Sequence, residues 1–318
     1  MKKLLLTLLI LTVPFSIFSA REVSLSEFAK TLSINLEEKS GLETPPVSII
    51  MTGDIMLGRY IATLRERNGE DFPFTYMPDL IARAKSDLDV EKIDIIAGNL
   101  EGPIVEDQIA YGDMVFRFDP EVATLLKKVG FTTFQLANNH TYNQKKAGLA
   151  ETQEWLEKAE LDSFGAPDSS TGFIAYEING QKIGFLGLDD VDYKIDETAV
   201  QNQIKELDPL VDFLIIGVHW GIEYKATASD NQVALAHMFI DSGADFIWGT
   251  HPHVVENSEV YNGKTIYYSL GNFVFDQYWS KETQKGLVLA VKLDHGVVTV
   301  KEIPVNLVNK GEPQPASL

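Results

Sequence analysis

The run Ala244-Asp245-Phe246-Ile247-Trp248-Gly249-Thr250-His251-Pro252-His253 decides how this chain is read. Its apolar centre has the length and composition of a short buried strand, and it empties into a turn carrying two of only six histidines. Four other apolar runs end in the same way, in Gly53-Asp54, Gly98-Asn99-Leu100-Glu101-Gly102, Ala137-Asn138-Asn139-His140 and Val218-His219-Trp220-Gly221. Ligands of open α/β sheets bind outside the carboxyl ends of the strands, so five polar clusters at five strand ends are expected to converge on one site. A lone His-Pro-His would be an ordinary loop; five coordinated strand ends are a constellation.

Working outward, strands are expected over 47–51, 93–97, 133–137, 213–218 and 246–248, and helices over 77–88, 121–128, 146–159 and 231–242. Gly130 and Gly243 each follow a helix and precede a strand, as helix-terminating glycines do. Asn179-Gly180, Asn262-Gly263 and His295-Gly296 interrupt this alternation with hairpin turns between β-rich runs. The fold class is therefore α/β, with parallel units and antiparallel hairpins together. A two-sheet mixed β-sandwich flanked by helices accommodates both. No repeat or composition shift divides the chain after Val47, so one domain is expected over 47–310, with a short tail at 311–318.

Ahead of it, Arg21 to Pro46 is a polar spacer closing in Thr44-Pro45-Pro46. Residues 1–20 carry Lys2 and Lys3 and then an apolar stretch from Leu4 to Phe18, the pattern of an export signal or, if retained, an N-terminal anchor. Such a stretch is shorter than the roughly 20 residues a spanning helix needs. The expected location is outside the cytoplasm, either periplasmic or extracellular and membrane-tethered. There is no cysteine, which excludes disulfides and a cysteine-borne lipid anchor. A net charge of −19 argues against nucleic acid and anionic membranes as partners, and provides no long-range attraction for a polyanion.

The chemistry of the five ends is that of a metal shell. Asp54, Asn99, Glu101, Asn139, His219, Glu223, His251 and His253 offer mixed oxygen and nitrogen ligands for one or two divalent ions, which clamp a phosphate and activate water. His140 is left as an acid near a leaving group. On an extended segment His251 and His253 would point to opposite sides, serving different ions or one ion and one outer contact. Trp220, Tyr224, Tyr278 and Trp279 are candidates for an aromatic rim, with Glu223, Trp220 and Asn272 as substrate contacts. Taken singly, each also has a structural reading: Asp54 as a turn cap, Asn138-Asn139 as a turn former, His219 as a core histidine, Glu101 as loop surface. His237 and His295 read as structural or exposed.

In this order the motifs resemble the CapA family of bacterial capsule and poly-γ-glutamate synthesis proteins. Thr52-Gly53-Asp54-Ile55-Met56-Leu57-Gly58-Arg59 and Tyr268-Ser269-Leu270-Gly271-Asn272-Phe273-Val274-Phe275-Asp276 look like that family's opening and closing motifs, and the likeness runs from Val47 to the hairpin after Lys285. Beyond the family, the layout is similar to the calcineurin-like metallophosphoesterases, whose layers are αββα. That resemblance implies Asp54, Asn139, His219, His251 and His253 as metal ligands and His140 as proton donor. Met56 stands where it expects a histidine and Asn99 where it expects a bridging aspartate, with Glu101 two residues on to restore the charge. A shell so reduced implies one ion more readily than two, and leaves manganese, zinc and iron undistinguished.

The function implied is an exported protein in synthesis, anchoring or transport of an anionic surface polymer such as poly-γ-glutamate. Membrane proteins of capsule synthesis are its expected partners. A metal-dependent hydrolase-type site would act on a phosphoester or amide. Two alternatives stay open: a non-catalytic polymer-binding or assembly protein with a degenerate pocket, and a secreted phosphatase unrelated to capsule.

Overall fold

The structure, a computed structural model, describes residues 44–69, 71–167 and 172–316. The expected export segment and all of the spacer before Thr44 lie outside the described residues. Elements follow in the order β1 (Val47–Ile55), α1 (Arg59–Asn68), α2 (Met77–Leu88), β2 (Ile95–Leu100), α3 (Glu121–Lys128), β3 (Thr133–Gln135), α4 (Lys145–Lys158), β4 (Asp162–Phe164), β5 (Phe173–Ile178) and β6 (Gln181–Asp189). They continue with α5 (Glu197–Leu207), β7 (Phe213–His219), α6 (Asp230–Asp241), β8 (Phe246–Thr250), β9 (Ser258–Tyr261), β10 (Lys264–Tyr267), β11 (Asn272–Val274), β12 (Lys285–Asp294), β13 (Val297–Val308) and β14 (Glu312–Pro315).

Two mixed sheets result. The first runs β14-β13-β12-β1-β2-β3-β4, with β11 also pairing β1, and the second runs β5-β6-β7-β8-β10-β9. In the first, β1 to β4 are parallel and β12 to β14 antiparallel; in the second, β6, β7, β8 and β10 are parallel, with an antiparallel strand at each edge. The pleat sorts side chains by face. Val47, Ile49 and Met51 of β1 join Phe185, Ile215 and Trp248 in the core between the sheets. Ile50 and Ile96 turn to the other face, against Leu80, Ala84 and Leu126 of α2 and α3. On the far side Leu214 and Ile216 pack on Val200 and Ile204 of α5 and Phe239 of α6. Helix, sheet, sheet and helix make the αββα layering the sequence implied.

The three hairpin turns are where the dipeptides place them, and both residues of each have positive φ, as a type I′ turn requires. Two helices go beyond the expectation. Helix α1 buries only Ile61 and Leu64, one turn apart in a charged sequence, so its periodicity is thin. Helix α5 buries Val200 and Ile204 and starts at Asp196, whose carboxylate accepts from the Ala199 amide. The expected tail is also corrected: Glu312–Pro315 pairs with β13, extending the domain past residue 310. Pro313 and Pro315 disguised that strand, and they are tolerated because it is the sheet edge.

Candidate metal centre

Sheet register brings the strand ends together. Asp54 lies opposite Asn99 on β2 and Asn272 on β11; His219 lies opposite Asp189 on β6 and Thr250 on β8. The first sheet thus contributes Asp54, Asn99 and Glu101, and the second His219 and the turn after Thr250. Gly53 permits the close approach: a Cβ there would fall 1.9 Å from the Gly271 carbonyl oxygen.

Asp54 is fully buried and fully engaged. Its Oδ1 accepts from Asn99 Nδ2 at 2.8 Å, and its Oδ2 accepts from the His251 amide at 3.3 Å and lies 3.2 Å from His253 Nδ1. The orientation of Asn99 follows from groups with no freedom of choice. Asn138 Oδ1 accepts from the His140 amide and its Nδ2 donates to the Leu100 carbonyl, so that amino group also donates to Asn99 Oδ1. Asn99 is left presenting its amino side to Asp54 and, at 3.3 Å, to His219 Nδ1. In this arrangement Asn99 orients Asp54 and does not offer an oxygen, which corrects the expectation of a ligand.

The same reasoning sets two histidine tautomers. Asn272 donates from Nδ2 to the Thr283 carbonyl, so its Oδ1 faces His253 Nδ1 at 3.0 Å and that nitrogen carries the proton. Asn143 Oδ1 accepts from the Phe116 amide at 2.6 Å, so His140 Nδ1, 2.9 Å from the same oxygen, is also protonated. Both imidazoles therefore turn Nε2 inward, which in the neutral ring presents a lone pair. Each lone pair lies 3.7 Å from Glu101 Oε1. Glu101 is fully buried, and neither of its oxygens has a hydrogen-bond partner. Electron pairs from three side chains face one another with no donor between them, an arrangement that costs free energy unless a cation or a proton occupies it.

Electrostatics follow from this crowding. Burial first, then Asp54, pushes the Glu101 carboxyl well above its usual range. Burial holds His140 down to about 4 and His251 to about 3, and holds His219 well below its ordinary value, with neighbouring histidines adding to all three. Neutral imidazoles are the form that binds metals. Two sets of three are close enough to share an ion: Asp54, Glu101 and His219, and Glu223, His251 and His253, with the ligand atoms of each set within 4.8 Å of one another. The donor set fits a divalent ion.

The His-Pro-His turn departs from the expectation. Its backbone is not extended: φ is +98° at His251 and +59° at His253, and the rings sit 5.8 Å apart toward one cluster instead of on opposite sides. Left-handed backbone at two non-glycine residues is strain of about 1–3 kcal/mol each, held by the surrounding contacts. His251 Nδ1 is buried without a partner, and His219 stands 4.8 Å from the His251 ring. Asn139 is half-buried, its Oδ1 3.1 Å from His219 Nε2.

Two of the three expected substrate contacts are placed elsewhere. Trp220 is fully buried, donates its indole N–H to the Tyr268 carbonyl, and stacks on Phe239 and Tyr268 in the core beneath α6. Asn272 is fully buried and orients His253. Glu223 is half-buried. Of the aromatic rim, Tyr224 and Trp279 are exposed and packed edge to face, with Tyr224 beside His253, whereas Tyr278 packs on Tyr60. Sequence reasoning passed over Asn143, Phe116, whose ring stacks on His140 at 3.8 Å, and Asp189, whose buried Oδ2 is unpartnered. Asp189 ends an apolar strand, the signal that found the others; Asn143 and Phe116 lie in loops and give none.

Residues 48–277 match the family model described as bacterial capsule synthesis protein PGA_cap. The chain is 31% identical over 300 residues to the capsule biosynthesis protein CapA of Bacillus anthracis, covering 86% of this chain and 71% of that protein. It is 33% identical over 293 residues to the PGA biosynthesis protein CapA of Bacillus subtilis, covering 83% and 75%. A crystal structure of a hypothetical protein from Thermus thermophilus superposes with a TM-score of 0.53 at 16% identity, covering 81% of this chain and 99% of that one, a likeness of fold.

Proposed function

We propose a function from one premise: the chain belongs to the bacterial capsule synthesis protein family, PGA_cap. It serves the synthesis of an anionic surface polymer of the poly-γ-glutamate kind, and it does so outside the cytoplasm through a metal-dependent hydrolase-type site. The polymer rests on the relatives' names, export on the sequence of residues 1–20, and the site on one observation above all. Glu101, fully buried with both oxygens unpartnered, faces inward lone pairs from His140 and His253.

Asp54, Glu101 and His219 form one candidate ion site, and Glu223, His251 and His253 a second. A bound divalent ion would polarise a phosphoester or amide and lower the pKa of water at the site. The chain's own residues do the rest. Asn99 and the His251 amide fix Asp54, and Asn272 fixes His253. His140, neutral with its Nε2 free, takes up a proton at that atom and returns it to the leaving group, held in line by Asn143. A non-catalytic reading is favoured by a separate observation: Met56 is buried with its sulfur accepting from the Gly58 amide, and Asn99 presents nitrogen, so two expected ligands are missing.

The test is metal analysis of purified protein beside Glu101→Gln, with turnover of a generic phosphodiester and of a γ-glutamyl amide. Near-stoichiometric metal lost with Glu101, together with turnover, supports the hydrolase. Metal without turnover selects the binding or assembly role, and no metal in either protein ends the reading.

A further inference from the structure

A chain of net charge −19 does not draw in a polyanion over distance, so any recognition of an anionic substrate has to be local. One cation stands beside the lone-pair cluster on the first sheet's side. Arg59 opens α1, four residues after the end of the strand that carries Asp54. Its φ is +48°, a conformation a non-glycine residue adopts only when its surroundings impose it. Asp276 grips the residue in that conformation: Arg59 Nε donates to Oδ2 at 3.1 Å and Nη2 donates to Oδ1, while the Tyr60 amide also donates to Oδ2 at 3.2 Å. The guanidinium lies over Phe116 at 4.9 Å and near Phe275 at 5.8 Å. Those two rings are also the ones that touch the histidines, Phe116 stacked on His140 at 3.8 Å and Phe275 against His253 at 4.7 Å. A single aromatic layer thus separates Arg59 from both inward-facing imidazoles.

This fork is only half used. Nε and Nη2 are committed to Asp276; Nη1 meets only the Met114 sulfur at 3.9 Å, and the side chain keeps 27% of its exposure. A purely structural clamp would explain the Asp276 pair, but the same job leaves no reason to seat the guanidinium on rings that pack the site. Its charge does reach the cluster, opposing the burial that raises Glu101 and helping hold His140 low.

We infer that Arg59 is an oxyanion subsite beside this centre: its Nη1 edge takes a carboxylate or phosphate of the substrate that is set back from the bond at His140 and His253 by the depth of the Phe116 and Phe275 layer. The inference rests on the proposed function for the identity of the substrate, and on geometry alone for the anion site. An Arg edge suits either oxyanion, because both accept its N–H donors.

The test is calorimetric titration of the purified full chain with inorganic phosphate and with tri-γ-glutamate, each in metal-free and manganese-loaded protein. Arg59→Gln is expected to weaken the preferred anion about tenfold, as loss of a charge-assisted hydrogen bond does, and Arg59→Lys to recover part of that. Since Arg59→Gln strands the buried Asp276 carboxylate, the double variant Arg59→Gln/Asp276→Asn serves as the fold-preserving form. The preferred anion tells phosphate ester from polyglutamate. If the double variant melts like the wild type, takes up manganese like it, and binds both anions with unchanged affinity, the inference is overturned. It is equally overturned if the wild type binds neither anion. Absence of manganese uptake by the wild type would strike the proposed function instead, leaving the Arg59 effect measurable in metal-free protein.

Discussion

The two candidate ion clusters are built on different foundations. Asp54, Glu101 and His219 stand at or just past strand ends, all fully buried, Asp54 and Glu101 placed by the register of β1 with β2 and His219 by that of β7 with β8. Glu223, His251 and His253 stand in turns, with Glu223 half-buried and left-handed backbone at both histidines and at Tyr224. A cluster on strands cannot relax without breaking sheet hydrogen bonds, whereas one on turns can. The first is therefore the preorganised candidate, and the second the adaptable one nearer the solvent.

Three measurements sharpen or break that contrast. Asp54→Asn should have the largest effect, because Asp54 meets both clusters: manganese affinity by titration is expected to fall more than about 100-fold, given that outer partners alone account for roughly 10–100-fold at metal sites. Glu101→Met comes next and has the opposite sign on stability. Removing an unpartnered buried carboxylate should stabilise the metal-free protein against urea by about 1–3 kcal/mol while abolishing the stabilisation that added metal gives. A destabilised Glu101→Met would mean the carboxylate has a partner in solution and was never poised for an ion. Glu223→Gln should cost only about tenfold in affinity, since its carboxylate is partly hydrated already. Were it to match Asp54→Asn, the clusters would be equivalent and the contrast lost.

The contrast also explains what the sequence revealed. The strand-end residues were legible because buried strands are apolar, so a polar residue at their carboxyl end stands out; Asp54, Glu101 and His219 came from that signal alone. The two-sheet fold was legible for a similar reason, from helical and strand periods interrupted by three Asn-Gly or His-Gly turns. Backbone geometry within turns was not. Nothing in His251-Pro252-His253 announces φ of +98° and +59°, so the pair read as extended and its side chains as opposed. Nor does a sequence say which edge of an amide faces a site. Asn99 reads as a ligand until the fixed backbone partners of Asn138, the His140 amide and the Leu100 carbonyl, are known, and Trp220 reads as a rim residue until its indole is found donating to the Tyr268 carbonyl.

The smallest expected effect probes what lies under the adaptable cluster. Gln232 Nε2 donates to Glu256 Oε2 at 2.7 Å, and a Cβ at Gly221 would fall 2.7 Å from Gln232. Glu256 and Gln232 thus underlie both turns, that of Glu223 and that of His253. Burial raises the Glu256 carboxyl to about 7, opposed by the Gln232 hydrogen bond. A raised carboxyl means the folded protein holds a proton that the unfolded chain releases, so the contribution to stability is complete below the ordinary glutamate range, near pH 4.5, and is lost as pH rises through about 7. One such proton gives a slope of at most about 1.4 kcal/mol per pH unit. Asp189, raised by burial to about 7 on the neighbouring β6, adds a similar slope. In urea unfolding of the metal-free protein, Glu256→Gln should therefore lose up to about 1.4 kcal/mol per pH unit of the downward slope between about pH 4.5 and 7, the opposite slopes of the depressed His140, His219 and His251 being common to both proteins and cancelling in the difference. Because Glu256 supports the turns and not the strands, manganese affinity of the second cluster should weaken over the same window while that of the first, compared through Glu223→Gln protein, does not. An unchanged slope in Glu256→Gln would show that Glu256 is ionised in the fold and that the two turns rest on something else.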